Sequence, residues 1–404
     1  MNMTPHKSLP YGCHQVDDDD VAAVVKVLRG ELIAGGGPVG QALESAFAER
    51  VGARYGVVCN SGTAALHLAA LALGLEEGDV VIVPTLTFLA TANAARYVGA
   101  EVIFADVDGD TGLITETALD SALDRAGGKA RAFFPVHLNG HCADMARIGP
   151  LAARRGLQVI EDACHAMGAT YSGDGVNHLT GACAHSVVTT FSMHPVKAIA
   201  MGEGGIVTTN DPALAEAMRR LRSHGMVRDP VRFEQPGEAF ASGGEVNSWY
   251  YEMPEIGFNY RASDINSALG LSQLRKLDVF LARRRALADR YDAALVGLAP
   301  LLRPVPRQVG GESGWHLYAV LIDFATAGID REHLMALLRD QGIGTQVHYL
   351  PVHRQPYYLR RYGELTLPGA DAYYSRCLSL PLFPGMADED VDFVVENLKQ
   401  ILTT

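Results

Sequence analysis

Over roughly its first 210 residues the chain alternates short β-rich runs with longer stretches of helix-like sequence, and that alternation leaves few folds open. The runs lie at 55–59, 80–84, 101–105, 130–136, 157–160, 186–191 and 205–209. Each is brief and rich in β-branched or aromatic residues, and most are followed by about 10–15 residues with helical periodicity. This is the pattern of a mostly parallel sheet with helices on both faces, an α/β fold. The last two runs are joined too closely for a crossover helix, which admits an antiparallel strand inside the sheet.

From about residue 261 the texture changes. Residues 265–277 and 280–296 read as two long helices, and Pro300, Pro304 and Pro306 punctuate a linker. A smaller α/β unit follows, with strands at 317–322 and 345–349, a helix at 331–341 and a last helix at 389–402. The expected division is an N-terminal segment 1–16, a large domain 17–260, and connecting helices with a small C-terminal domain over 261–404.

Composition removes several classes of function. With 34 Lys and Arg against 46 Asp and Glu the net charge is −12, the opposite of a nucleic-acid-binding footprint. At 48% hydrophobic residues the chain has the apolar mass for a full core. The six cysteines form no CxxC pair, so neither a zinc cage nor a disulfide framework is expected, and a reducing compartment is the simpler setting. The stretch 64–75 is too short to span a bilayer and contains His67, and residues 1–10 show no apolar signal core. A cytoplasmic protein with no membrane partner is expected.

Four segments carry candidate chemistry. Asn60-Ser61-Gly62-Thr63 follows the first run and opens a helix, which offers backbone N–H groups and hydroxyls to a phosphate; an ordinary N-cap reads the same way. Glu161-Asp162-Ala163-Cys164-His165 ends a central run, where a parallel sheet binds its ligands and where a carboxylate meets a cationic group. Lys197, in Phe191-Ser192-Met193-His194-Pro195-Val196-Lys197, sits among uncharged residues before the turn Gly202-Glu203-Gly204-Gly205. Burial there lowers a lysine pKa and makes the amine a nucleophile toward carbonyls. The fourth segment is Gly257 to Arg261, with His348, Tyr349 and His353 beyond it. The His348–His353 spacing does not make a metal site, because Pro351 breaks the helix that would align the two imidazoles. His137, beside the end of a run, reads equally as a hydrogen-bonded core histidine.

In this order the segments resemble pyridoxal phosphate enzymes of the aspartate-aminotransferase-like fold type I. More narrowly they are similar to the DegT/DnrJ/EryC1/StrS sugar-nucleotide aminotransferases. SGTAALHLA, PTLTFLATANA, EDACHAMGA, FSMHPVKAIAMGEGGIVTTND and GFNYRASDINSALGLSQLRKLD carry the resemblance. It implies that Lys197 bonds the aldehyde of pyridoxal 5′-phosphate and that Asp162 pairs with the pyridine nitrogen. It further implies that Phe88 stacks on the ring, that His165 partners the ring hydroxyl, and that Gly62, Thr63 and Ser192 hold the phosphate. Asn259 is expected to reach the phosphate of a neighbouring subunit, which makes the active unit a homodimer with shared sites. Tyr11, His137, His348, Tyr349 and His353 are the expected substrate-recognition residues. FSMHPVK and QVHYLPVHRQPYY are most similar to members that aminate C4 of a UDP-linked 4-keto-6-deoxy-N-acetylhexosamine, with L-glutamate as the implied donor. Relatives that act as dehydrases replace the lysine by histidine; here Lys197 holds the position five residues before Gly202, so transamination is retained. Other keto-sugar carriers, amination at C3, or a non-catalytic cofactor-binding regulator are the alternatives.

The resemblance implies a yellow protein whose visible absorbance fades when glutamate is added. A colourless protein that gains no band with added pyridoxal phosphate would overturn that implication.

Overall fold

A computed structural model describes residues 8–173 and 175–403, so residues 1–7 of the expected N-terminal segment lie outside the described residues. The strands, in chain order, are β1 (Tyr55–Cys59), β2 (Val80–Pro84), β3 (Glu101–Ala105), β4 (Ala130–Phe133), β5 (Gln158–Asp162), β6 (Thr170–Gly173), β7 (Val176–Leu179), β8 (Val188–Ser192), β9 (Gly205–Thr209), β10 (Leu302–Pro304), β11 (Tyr318–Ile322) and β12 (Cys377–Leu380). All seven sequence runs enter one seven-stranded sheet of order β1-β9-β8-β5-β4-β2-β3. Only β9 runs against the rest, pairing antiparallel with both β1 and β8.

Successive residues of these strands serve opposite faces, which is why the runs read as nearly continuous apolar sequence. Val57, Val81 and Val83 pack against the helices Gly62–Ala72 and Leu89–Tyr97 on one side. Val58, Ile82 and Phe191 pack against Pro38–Val51, Glu116–Ala126 and Met145–Arg154 on the other. The Gly62–Ala72 helix, almost wholly buried, lies across the sheet behind the candidate phosphate cup. A third apolar cluster joins β11, β12 and the helices Leu277–Leu295 and Asp388–Leu402.

Several sequence expectations are corrected. Residues 345–349 form no strand; only Gln346 bridges, to Ser379, and the third strand of the small sheet is β12. His348 and Tyr349 are consecutive yet both line the same cleft, an arrangement the two-residue alternation of a strand forbids. The proline-punctuated linker contains β10, whose Pro304 is tolerated because β10 is an edge strand. The β6–β7 hairpin was not expected from the sequence pattern.

The helix Asp264–Leu274 packs across the helices at 18–28 and 38–51. Asp264 is buried, and its carboxylate accepts N–H groups of Val39 and Gly40 at 3.3 and 3.1 Å, capping a helix more than two hundred residues away in sequence. Asp264→Ala should therefore cost about 1–2 kcal/mol of stability, the range for a lost cap, read as a lower thermal midpoint. An unchanged midpoint would contradict the assignment.

Candidate active site

The carboxyl ends of β1, β2, β5 and β8 converge on one cleft of about 630 Å³. Beyond β1, Ser61 caps the Gly62–Ala72 helix by accepting the Ala64 N–H at 3.1 Å. The Gly62 and Thr63 amides thus stand at the helix start, ahead of the first intrahelical bond. A Cβ on Gly62 would come to 2.8 Å from Ser192 Cβ, so glycine is required for this close approach. Gly62, Thr63 and Ser192 line the cleft at a helix N-terminus, an arrangement suited to an anion.

Asp162, buried at the end of β5, is held from two sides. Thr91 Oγ1 donates to its Oδ2 at 2.6 Å and the Cys164 N–H donates to its Oδ1 at 3.1 Å. Thr87 bonds Thr91 in turn, at 2.7 Å, so a chain of hydroxyls fixes the carboxylate. Lys197 shares the cleft. Burial holds its pKa below the ordinary lysine value, and the Asp162 charge only partly opposes this. Cys164 is kept a neutral thiol by burial and by the Asp162 charge, which push its pKa well up.

Aromatic and imidazole groups wall the other side. His165 Nε2 lies 2.9 Å from the Tyr349 hydroxyl, while its Nδ1 is buried without a partner. Burial and the Lys197 charge hold the His165 pKa well below the usual imidazole value, so the ring is neutral. His348 bonds Ser379 Oγ at 2.8 Å, and burial followed by the Lys197 charge pulls its pKa down to about 3. Tyr11 lies against His348 with ring centroids 5.4 Å apart. Phe88 is 56% exposed and faces the cleft, which excludes a purely core role.

The structure brings Gly62, Thr63, Phe88, Asp162, His165, Ser192, Lys197, Tyr11, His348 and Tyr349 to this one cleft. Two expected recognition residues are engaged within the protein. His137 lines the floor, but both ring nitrogens are engaged: Nε2 with Glu161 at 2.8 Å, and Nδ1 accepting the Ala143 N–H at 3.0 Å. His353 is buried and turned away from the cleft, with Nδ1 bonded to Thr85 at 2.7 Å, where it ties its loop to the end of β2. Asn259 is exposed and does not line the cleft. Sequence reading missed Thr91 and His316. Thr91 lay inside a segment already singled out, three residues from Phe88; His316 had no local signal, because its cleft partner Lys197 is 119 positions away.

A lysine with a lowered pKa, a fixed carboxylate and free amides at a helix start together suit a phosphorylated cofactor with a cationic ring and an aldehyde. The class is that of fold type I pyridoxal 5′-phosphate transferases. Residues 14–399 match the DegT/DnrJ/EryC1/StrS aminotransferase family, and the chain belongs to it. "Spore coat polysaccharide biosynthesis protein SpsC" of Bacillus subtilis (strain 168) is 38% identical over 397 residues, 98% of this chain and 97% of that one. Helicobacter pylori PseC, an aminotransferase involved in the biosynthesis of pseudoaminic acid, is similar in structure with a TM-score of 0.87 and 28% identity, covering 98% of this chain and 100% of that one. Spr1654 of Streptococcus pneumoniae, in its PLP form, gives a TM-score of 0.86 at 27% identity, over 98% of this chain and 99% of that one. The chain is thus a sugar aminotransferase whose cofactor is pyridoxal 5′-phosphate.

The residues present fit that cofactor: the cradle at Gly62 is one a Cβ would fill, and His165 holds an unpartnered buried nitrogen beside Lys197. Gly62→Ala should weaken cofactor binding roughly tenfold or more, since overpacking a tight site costs about 1–3 kcal/mol. Titration of cofactor-free protein by absorbance checks this, and an unchanged dissociation constant would contradict the cradle.

Proposed function

We propose that the protein moves an amino group from L-glutamate to C4 of a UDP-linked 4-keto-6-deoxy-N-acetylhexosamine, the amination step of pseudaminic acid synthesis, by a ping-pong route. The observation that carries this reading is the segment 346–350, which brings Gln346, His348 and Tyr349 into the cleft with Lys197. The structural likeness to Helicobacter pylori PseC supports the same choice.

In this reading, Lys197 would hold the cofactor through its aldehyde, and its freed amine would carry the proton taken from or given to the substrate carbon. An amine that does this must be uncharged when free, which the apolar setting favours. Asp162, oriented by Thr91 and the Cys164 amide, keeps the pyridine nitrogen protonated. Bound pyridoxal phosphate supplies the carbonyl that receives the amine and the ring that stores the carbanion's electron pair. Phe88 would cover the ring face, His165 would partner the ring hydroxyl through the nitrogen Tyr349 leaves free, and Gly62, Thr63 and Ser192 would hold the phosphate. Tyr11, His348 and Tyr349 recognise the two substrates in turn.

Asn259 reaches the phosphate of a second copy, so the active unit is a homodimer with shared sites. Its exposure outside its own cleft supports this. The large domain at 17–260 carries the cofactor, and the segment 261–404 closes the cleft through the 346–350 loop. Six free cysteines support a cytoplasmic setting. Among the described residues no helix is long and apolar enough to cross a membrane.

A panel of nucleotide-linked 4-keto and 3-keto sugars, assayed with glutamate for amino-sugar product, tests the reading. The UDP-linked 4-keto substrate should be aminated fastest; a faster 3-keto or dTDP-linked substrate would overturn the choice. Lys197→Ala should keep the cofactor without a covalent bond and lose at least about a hundredfold in turnover. Turnover near wild type would contradict the lysine's role.

A further inference from the structure

His316 stands just before β11 in a loop that the rest of the molecule holds in place. Trp315 has φ of +42°, a conformation costly for a bulky residue, and a Cβ on Gly140 would come within 2.5 Å of the Trp315 nitrogen. Arg284, buried on the helix Leu277–Leu295, donates Nη1 to the carbonyls of Trp315, His316 and Leu382 at 3.3, 3.2 and 2.8 Å. A buried cation that donates to three carbonyls is a rigid anchor, and here it fixes the backbone that carries His316.

The ring so held is itself buried and faces the reactive amine. His316 Nε2 lies 3.5 Å from Lys197 Nζ, and the ring packs on His165 with centroids 4.4 Å apart. The titratable groups around Lys197 come from several elements. Asp162, on β5, opposes the lowering of its pKa; the Cys164 thiol on the loop after β5 and the rings of His165, His348 and His316 share the cleft with it. Burial first, with the nearby Arg284 cation, keeps His316 neutral. A neutral imidazole has one N–H to place. On Nδ1, which has no partner, that hydrogen would be a buried orphan donor; on Nε2 it points at the Lys197 nitrogen.

We propose that His316 is a positioning residue that donates its Nε2–H to the lone pair of Lys197 Nζ, holding the amine uncharged and aimed into the cleft. The arrangement favours the neutral amine, because an ammonium has no lone pair to accept with. This deepens the assignment of Lys197 above and rests on it for its functional meaning, but not for its test.

The test uses full-length protein freed of cofactor, labelled with limiting acetic anhydride across pH, with the Lys197 peptide quantified by mass spectrometry. His316→Leu removes the donor without adding a polar group. It should move the midpoint of Lys197 labelling up by about one pH unit. A midpoint that stays or falls overturns the proposal, since an apolar filler alone lowers it. Ring-nitrogen NMR of the unmodified protein, with His316 assigned by backbone connectivity, is a second measurement independent of any variant. The proton should reside on Nε2, and a proton on Nδ1 overturns the proposal. Labelling and tautomer are read without turnover, so failure of the aminotransferase reading would appear in the activity assays and leave these results intact.

Discussion

The proposed chemistry depends on an amine whose pKa is lowered within reach of a carboxylate. In that reading Lys197 is the nucleophile and Asp162 the fixed carboxylate of the same cleft. In open water the two would form an ordinary ion pair and the amine would be protonated. Here burial works against the ammonium, while Thr91 and the Cys164 amide occupy the Asp162 oxygens and hold the carboxylate in place. The neutral imidazoles of His165 and His348 add polar surface without adding charge.

The sheet makes this possible through its one reversed strand. With β9 antiparallel to β1 and β8, its first residue, Gly205, stands at the same edge as the ends of β1 and β8. A Cβ there would come to 2.4 Å from the Ser61 carbonyl, so glycine lets the turn after Lys197 close directly onto the phosphate cradle. The loop that carries Lys197 is anchored at one end by β8 and at the other by β9, which pairs with β1 ahead of the Ser61–Thr63 segment. The net charge of −12 does not exclude phosphorylated ligands, because backbone N–H groups at a helix start can hold a small anion locally.

The seven runs that became the central sheet were legible because each is buried on both faces, so composition and length alone marked them. Position at strand ends then singled out Ser61–Thr63, Asp162 and Lys197. Legibility stopped where tertiary contacts decide. Residues 345–349 alternate like a strand, yet His348 and Tyr349 are both drawn into the cleft, the first by Ser379 and the second by His165. β12 has four residues directly after a helix, too short for its pattern to show. The resemblance cast His137 and His353 as recognition residues, and only the fold shows their rings bonded to Glu161 and Thr85. His316 was invisible because nothing local distinguishes it; only the fold sets it beside Lys197.

The central claim is that Lys197 is the residue that bonds the cofactor. Reduction of the holoenzyme with borohydride, followed by peptide mapping, tests it most directly. The account predicts a pyridoxyl group on the peptide that contains Lys197 and on no other lysine. A label on a different lysine, or cofactor released unreduced from a protein that turns over, would contradict it.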